Sequence, residues 1–140
     1  MSNANQIIVV VKGVIFYKGK VLIVKRSLND RVGGGTWECV GGKLDFGEDL
    51  EDALKREIQE EVGIDVTVER VLFASTFHTE PTRQVVVITY LCQTQNEKIV
   101  LSEEHSDFLW ATKQQLRTLL PSNIISDFEK HHLFSIKELM

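Results

Sequence analysis

Along this 140-residue chain the spacing of apolar positions changes period several times, and each change marks an element. Residues Ile7–Phe16 are almost continuously apolar and rich in β-branched side chains, which predicts a buried strand. Lys18-Gly19 supplies a tight turn and Val21–Lys25 the returning partner, giving a hairpin. After a loop over Ser27–Gly35, Trp37–Val40 is a short strand that runs into the pair Gly41-Gly42. From Glu48 to Val62 the period becomes helical, with Leu50, Leu54, Ile58 and Val62 at i, i+4 spacing along one stripe. Gly63 stands where a left-handed C-terminal cap belongs, and Ile64 can fold back on the last turn. Val66–Phe77 and Gln84–Gln95 are two further strands, joined by the polar segment His78–Arg83 as a hairpin loop. Leu101–Trp110 turns from acidic to apolar, and Thr112 is a good N-cap for a helix over Lys113–Leu120. Pro121-Ser122-Asn123 breaks the chain before a last helix over Ile124–Leu139, apolar at Ile124, Ile125, Phe128, Leu133, Ile136 and Leu139. This order suits an α/β fold with helices on both sides of a mixed sheet.

Composition adds bounds rather than detail. With 43% hydrophobic and 26% charged residues, the chain reads as one ordinary globular domain over 1–140, large enough for a substantial core. A net charge of −4 argues against a nucleic-acid polymer as partner. It leaves a nucleotide open, because metal ions can bring the positive charge. Cys39 and Cys92 form no CxxC motif and no disulfide framework, so they are expected to be packed apolar residues in a reducing, cytoplasmic setting. The opening MSNANQ lacks a basic region, and Lys12 and Gly13 interrupt the apolar run that follows. Neither a secretory signal nor a membrane span is therefore expected.

The chemistry concentrates on the helix. Glu57, Glu60 and Glu61 occupy i, i+3 and i+4, so three carboxylates share one face, and Glu48 lies near the N-terminus, where a negative charge suits the helix dipole. Clustered hard oxygen ligands suit Mg²⁺ or Mn²⁺. The Gly41-Gly42 pair lets a backbone carbonyl approach a metal or a phosphate closely. The loop glycines Gly33-Gly34-Gly35 suggest a phosphate cradle, but no GK[ST] follows and a P-loop is excluded.

Read from Gly42, the spacing is five residues, Glu48, seven residues, then Arg56-Glu57-Ile58-Gln59-Glu60-Glu61-Val62-Gly63-Ile64. It resembles the signature of the Nudix hydrolase superfamily at every fixed position. With each fixed residue at roughly one in fifteen by composition, seven chance matches are on the order of one in 10⁸. Val40 departs from the proline that members usually carry before the glycines, a matter of loop rigidity rather than chemistry. The resemblance implies a Nudix-type α/β/α sandwich and metal-assisted water attack on a nucleoside diphosphate linked to another group. It implies the metal ligands Glu57, Glu60, Glu61 and the Gly41 carbonyl, with Arg56 pairing a box acid. Glu48 is the candidate partner, a surface pair with Glu60 the alternative.

Outside the signature, four features bear on the substrate. Glu104, six residues before Trp110, resembles the late loop acid that MutT-type members use as metal ligand or general base, with Glu103 as fallback. Arg26, ending the second strand, resembles a phosphate-contacting arginine. Trp37, Glu38 and Cys39 lie where the family forms part of its nucleoside pocket, and Trp37 could stack on a base or sit in the core. Asn123 resembles the asparagine with which MutT-type enzymes read a purine, and could equally be a turn residue or N-cap. His78, His131 and His132 lack metal-ligand spacing, and His105 is read as no more than a neighbour of the ligands. The resemblance thus points to a Mg²⁺-dependent MutT-like pyrophosphohydrolase, monomer or homodimer, acting on a nucleoside triphosphate, normal or oxidised. The alternatives are an ADP-ribose or nucleotide-sugar pyrophosphatase, weakly suggested by Pro81, and a non-catalytic nucleotide sensor.

Overall fold

A computed structural model describes residues 4–29 and 33–140; the opening residues 1–3 and positions 30–32 of the loop read over Ser27–Gly35 lie outside the described residues. The first hairpin forms as its sequence dictates. Strand β1 (Gln6–Tyr17) turns at Lys18-Gly19 and pairs antiparallel with β2 (Lys20–Arg26). The short strand expected over Trp37–Val40 divides at Cys39. Strand β3 (Trp37–Glu38) pairs with β2, whereas β4 (Val40–Lys43) crosses to pair with β1 and places Gly41 opposite Lys12. Helix α1 (Leu50–Val62) follows and ends at Gly63, whose φ of 72° is the left-handed cap and whose N–H donates to Gln59.

The strands β5 (Thr67–Glu80) and β6 (Arg83–Gln93) run longer than their apolar stretches. The segment His78–Arg83, expected as a loop, is mostly ladder: His78 pairs with Gln84 and Glu80 with Arg83, leaving only Pro81-Thr82 as the turn. Backbone pairing needs no apolar side chain, so a polar, solvent-exposed hairpin end carries no alternation to read. β6 lies parallel to β1 from Gln6–Arg83 to Phe16–Gln93, which makes the sheet mixed. β7 (His105–Ala111) pairs with β2, and α2 (Lys113–Leu119) begins at Thr112 with a reciprocal capping box to Gln115.

The last predicted helix is shorter than its apolar periodicity. Helix α3 (Ser122–Lys130) stops at His131, His132 takes a left-handed φ of 61°, and a 3₁₀ turn over Leu133–Ser135 follows. Leu133, Phe134 and Leu139 are nevertheless buried, so the apolar positions find the core without one continuous helix. Asn123 accordingly lies within the first turn of α3 rather than before it.

Strand alternation sends β1 side chains to two cores. Val14 and Phe16 meet α2, α3 and the C-terminal turn, while Val11 and Ile15 meet α1. The two helical layers therefore cover opposite faces of one sheet, an α/β/α sandwich. On α1, Ala53, Leu54, Ile58 and Val62 are fully buried, but Leu50, the first residue of the helix, is 36% exposed. Each fully buried aliphatic side chain contributes about 1.5–3 kcal/mol by leaving water, so the inner face fixes α1 whatever its outer face carries.

Candidate active site

The outer face of α1 carries the acids, and the chain pins a second acidic segment against its end. The last carbonyls of a helix lack intrahelical partners. Here Val62 accepts from the Val100 N–H at 3.0 Å and Glu61 from the Ser102 N–H at 3.0 Å. On the other side Ser27 holds the same loop, its N–H donating to Glu104 at 3.0 Å and its hydroxyl to Glu103 at 2.9 Å. Glu103 and Glu104 are thereby brought to Glu57, Glu60 and Glu61 around one open groove.

Arg56 organises the entrance. Its Nε and one terminal nitrogen grip both oxygens of Glu48 at 2.6 and 2.9 Å, a bidentate pair of the strong kind. The other terminal nitrogen reaches Glu57 at 3.1 Å and Glu60 at 3.3 Å. The Glu48 pairing anticipated from sequence and its i,i+4 alternative with Glu60 are thus both present. The Arg56 hydrogen bond and the Asp45 N–H hold Glu48 down at about 2. Gly42 makes room for this arrangement, since a Cβ there would fall on the Glu57 carboxylate.

Deeper in, Glu61 is 7% exposed, and its carboxylate has no hydrogen bond or ion pair among the described residues. Burial, reinforced by Glu57 and Glu104, pushes it up to about 7 against the opposing influence of Lys12 and His105. Glu57 is raised too, chiefly by burial, although Arg56 counters this. A group of carboxylates gathered on one groove, two of them raised chiefly by burial, fits a divalent cation. Glu61, Glu104 and His105 each offer one ligand atom, all within 4.8 Å of one another.

A second ionic group adjoins the first. Glu38 receives His105 Nε2 at 2.9 Å, Lys12 Nζ at 3.3 Å and Arg26 at 3.4 Å. Burial would raise its pKa, but the His105 hydrogen bond with Lys12 and Arg26 outweighs this and holds Glu38 at about 2. Sheet pairing assembles the group: Lys12 lies opposite Gly41, Val24 opposite Glu38 and Arg26 opposite His105. Arg26 and Glu38, read from sequence as substrate contacts, here contact each other. Lys12 was not singled out as a site residue, although a lysine inside a buried apolar strand was the available signal.

Two other sequence candidates lie elsewhere. Trp37 packs, partly buried, against the core on the α2 and α3 side, and Asn123 is exposed on α3. Neither lines the acidic groove. Cys39 and Cys92 are buried free thiols, both pushed up to about 12 by burial, as packed apolar residues would be.

A family model described as NUDIX domain matches residues 8–130. The chain belongs to the NUDIX domain family. It is a MutT-like Nudix hydrolase, an enzyme class acting on phosphoric anhydride bonds of nucleotides. Among its relatives, a nucleoside triphosphatase NudI of Enterobacter sp. (strain 638) is 30% identical over 116 residues, 76% of this chain and 82% of that protein. An 8-oxo-dGTP diphosphatase of Proteus vulgaris is 44% identical over 80 residues, 56% of this chain and 70% of that one. The crystal structure of a MutT protein from Methanosarcina mazei Go1 superposes with a TM-score of 0.84 at 27% identity, covering 97% of this chain and 100% of that one. No helix among the described residues is long and apolar enough to cross a membrane.

Proposed function

We propose that this Nudix hydrolase cleaves a nucleoside triphosphate, normal or oxidised in its purine base, to the monophosphate and pyrophosphate, with Mg²⁺ or Mn²⁺. The observation that carries the reading is the carboxylate wall of Glu57, Glu60, Glu61 and Glu104, too acidic for the cations around it and open to solvent. The relatives named as a nucleoside triphosphatase and an 8-oxo-dGTP diphosphatase support the substrate class. In this reading Glu57, Glu60, Glu61, Glu104 and the Gly41 carbonyl hold the metal. Once bound, a divalent cation supplies Lewis-acid neutralisation of phosphate oxygens and a lowered pKa for water.

The remaining roles belong to the chain itself. Arg56, clamped by Glu48, fixes the side chains of Glu57 and Glu60 so that their oxygens are placed before any ligand arrives. Water attacks a phosphorus of the triphosphate chain, a carboxylate of the groove accepts its proton, and the anhydride P–O bond breaks with its electron pair leaving on the oxygen of the departing phosphate group. Arg26, directed by its pairing with Glu38, would contact the phosphates. The substrate is a small molecule, with neither a nucleic-acid polymer nor a membrane as partner, and the setting is cytoplasmic.

An assay of pyrophosphate and monophosphate release with Mg²⁺ tests this across normal and oxidised nucleoside triphosphates, ADP-ribose, nucleotide sugars and dinucleoside polyphosphates. Pyrophosphate from a purine triphosphate is expected. Turnover of ADP-ribose or a nucleotide sugar alone would overturn the substrate class, and tight binding with no turnover anywhere would make the chain a sensor.

A further inference from the structure

His105 is the least exposed ionisable side chain of the site, its side chain only 2% exposed. One ring nitrogen, Nε2, meets the Glu38 carboxylate at 2.9 Å. The other, Nδ1, is buried and has no hydrogen-bond partner among the described residues. A buried polar atom left unpartnered is costly and uncommon, and it asks for an occupant. The ring also offers a ligand atom within 4.8 Å of ligand oxygens of Glu61 and Glu104.

The tautomer follows from the partners. An ionised Glu38 carboxylate can only accept, so the hydrogen between it and the ring sits on Nε2, which leaves Nδ1 as the nitrogen able to offer a lone pair to a cation. This is the arrangement by which metal-ligating histidines are oriented elsewhere: a carboxylate fixes one nitrogen so that the other faces the ion. Lys12 and Arg26, both paired with Glu38, keep that carboxylate charged and in place.

We propose that His105 Nδ1, with Glu61 and Glu104, forms a mixed nitrogen–oxygen cation site that takes a first-row transition metal such as Co²⁺, Fe²⁺ or Zn²⁺ in preference to Mg²⁺. Imidazole favours those ions, whereas Mg²⁺ favours oxygen donors alone. Glu38 is a positioning residue, acting on the cation only through the ring. The inference rests on the groove holding metal as proposed above, but adds to it a nitrogen ligand and a metal preference.

Calorimetric titration with Co²⁺ alone and with Mg²⁺ alone, on wild type and His105→Gln, tests the preference. The expected result is Co²⁺ binding weakened at least tenfold in His105→Gln while Mg²⁺ binding shifts by less than about threefold. Glu38→Gln should also weaken Co²⁺ more than Mg²⁺. Equal loss for both ions, or no loss for either, would overturn the proposal. A second measurement needs no variant: wild type labelled with ¹⁵N-histidine and given Zn²⁺ should show one ring with Nδ1 metal-bound and Nε2 still protonated, assigned to His105. A His105 ring unchanged by Zn²⁺ would overturn the proposal even if His105→Gln failed to fold. If wild type binds no cation at all, the metal-dependent reading falls as well. If Mg²⁺ supports turnover but His105 adds nothing to Co²⁺ binding, only this inference falls.

Discussion

Glu38 and Glu61 are both mostly buried, both flanked by Lys12 and His105, and folding treats them in opposite ways. Around Glu38 the sheet assembles two cations and an imidazole, and together they hold the carboxylate at about 2. Glu61 sits one neighbour further on, against Glu57 and Glu104, and is pushed up to about 7. The same residue type is thus compensated in one place by the fold and left uncompensated in the other. A chain under no functional demand gains by pairing buried charges or by replacing them. Leaving Glu61 unpaired beside two more acids makes sense when a ligand brings the positive charge.

Neutralising Glu61 should break the contrast most severely. Glu61→Gln is expected to lower kcat on the order of a thousandfold, since a misplaced cation forfeits several kcal/mol of transition-state stabilisation. Its effect on stability should have the opposite sign. A folded pKa near 7, above the ordinary 4.5, means that the wild-type contribution is complete below 4.5 and is lost as pH rises from there through about 7. By pH 8, with metal chelated, ionised Glu61 costs on the order of 3 kcal/mol, which Gln does not incur. Urea unfolding with chelator at pH 5 and pH 8 should show the variant gaining on wild type mainly at the higher pH. A variant turning over at wild-type rate would remove Glu61 from the metal ligands.

The compensated partner should respond in reverse. Glu38→Gln leaves Lys12 and Arg26 without their carboxylate and is expected to cost about 3 kcal/mol near neutral pH. Because the Glu38 pKa is depressed, its contribution is present above the ordinary range and is lost as pH falls from 4.5 towards 2. The two unfolding curves should therefore converge in acid, whereas those of Glu61→Gln and wild type converge for a different reason, when Glu61 is protonated. A constant gap between Glu38→Gln and wild type down to pH 2 would show that packing, not charge, sets the loss.

Arg56 stands between the two regimes, ordering acids without cancelling them. Arg56→Lys keeps the charge but loses the fork that grips Glu48 and reaches Glu57 and Glu60 at once. An effect of about ten- to a hundredfold on kcat/KM is expected, as for other residues that orient metal ligands. Steady-state kinetics over a Mg²⁺ series should show the loss shrinking as metal rises. A loss independent of Mg²⁺ would mean that Arg56 acts on substrate instead.

How far these regions were legible from sequence follows from how each is built. The α1 face is local: the i, i+3 and i+4 carboxylates, the Arg56 clamp and the Gly63 stop are separated by one or two helical turns. Its partner Glu48 could be named in advance for that reason. The Glu38 group is not local. Lys12, Arg26, Glu38 and His105 meet only through three strand pairings, and no spacing along the chain encodes those. The fold shows the same division. The β1–β2 hairpin and the Thr112 cap were readable because turn and cap chemistry is short-range. The apolar period through Ile124–Leu139 concealed the left-handed His132, a residue type that gives no stop signal of the kind glycine gives. Likewise nothing in the polar run His78–Arg83 distinguishes a loop from a solvent-facing ladder.

The mildest test compares two acids on the same helix. Glu60 is the i−1 neighbour of Glu61, yet its side chain is 60% exposed and already shares Arg56 at 3.3 Å. Water solvates its charge, so the burial that acts on Glu61 has little hold on it. Glu60→Gln should change metal-free stability by no more than about 0.5 kcal/mol at pH 8, the range of exposed i,i+4 pairs. In the reading proposed here it should still weaken Mg²⁺ binding, because a solvated carboxylate remains a ligand. Chelated urea unfolding beside Mg²⁺ titration separates the two properties. If Glu60→Gln stabilised the metal-free protein as much as Glu61→Gln, repulsion among the acids rather than burial would be what strains the groove.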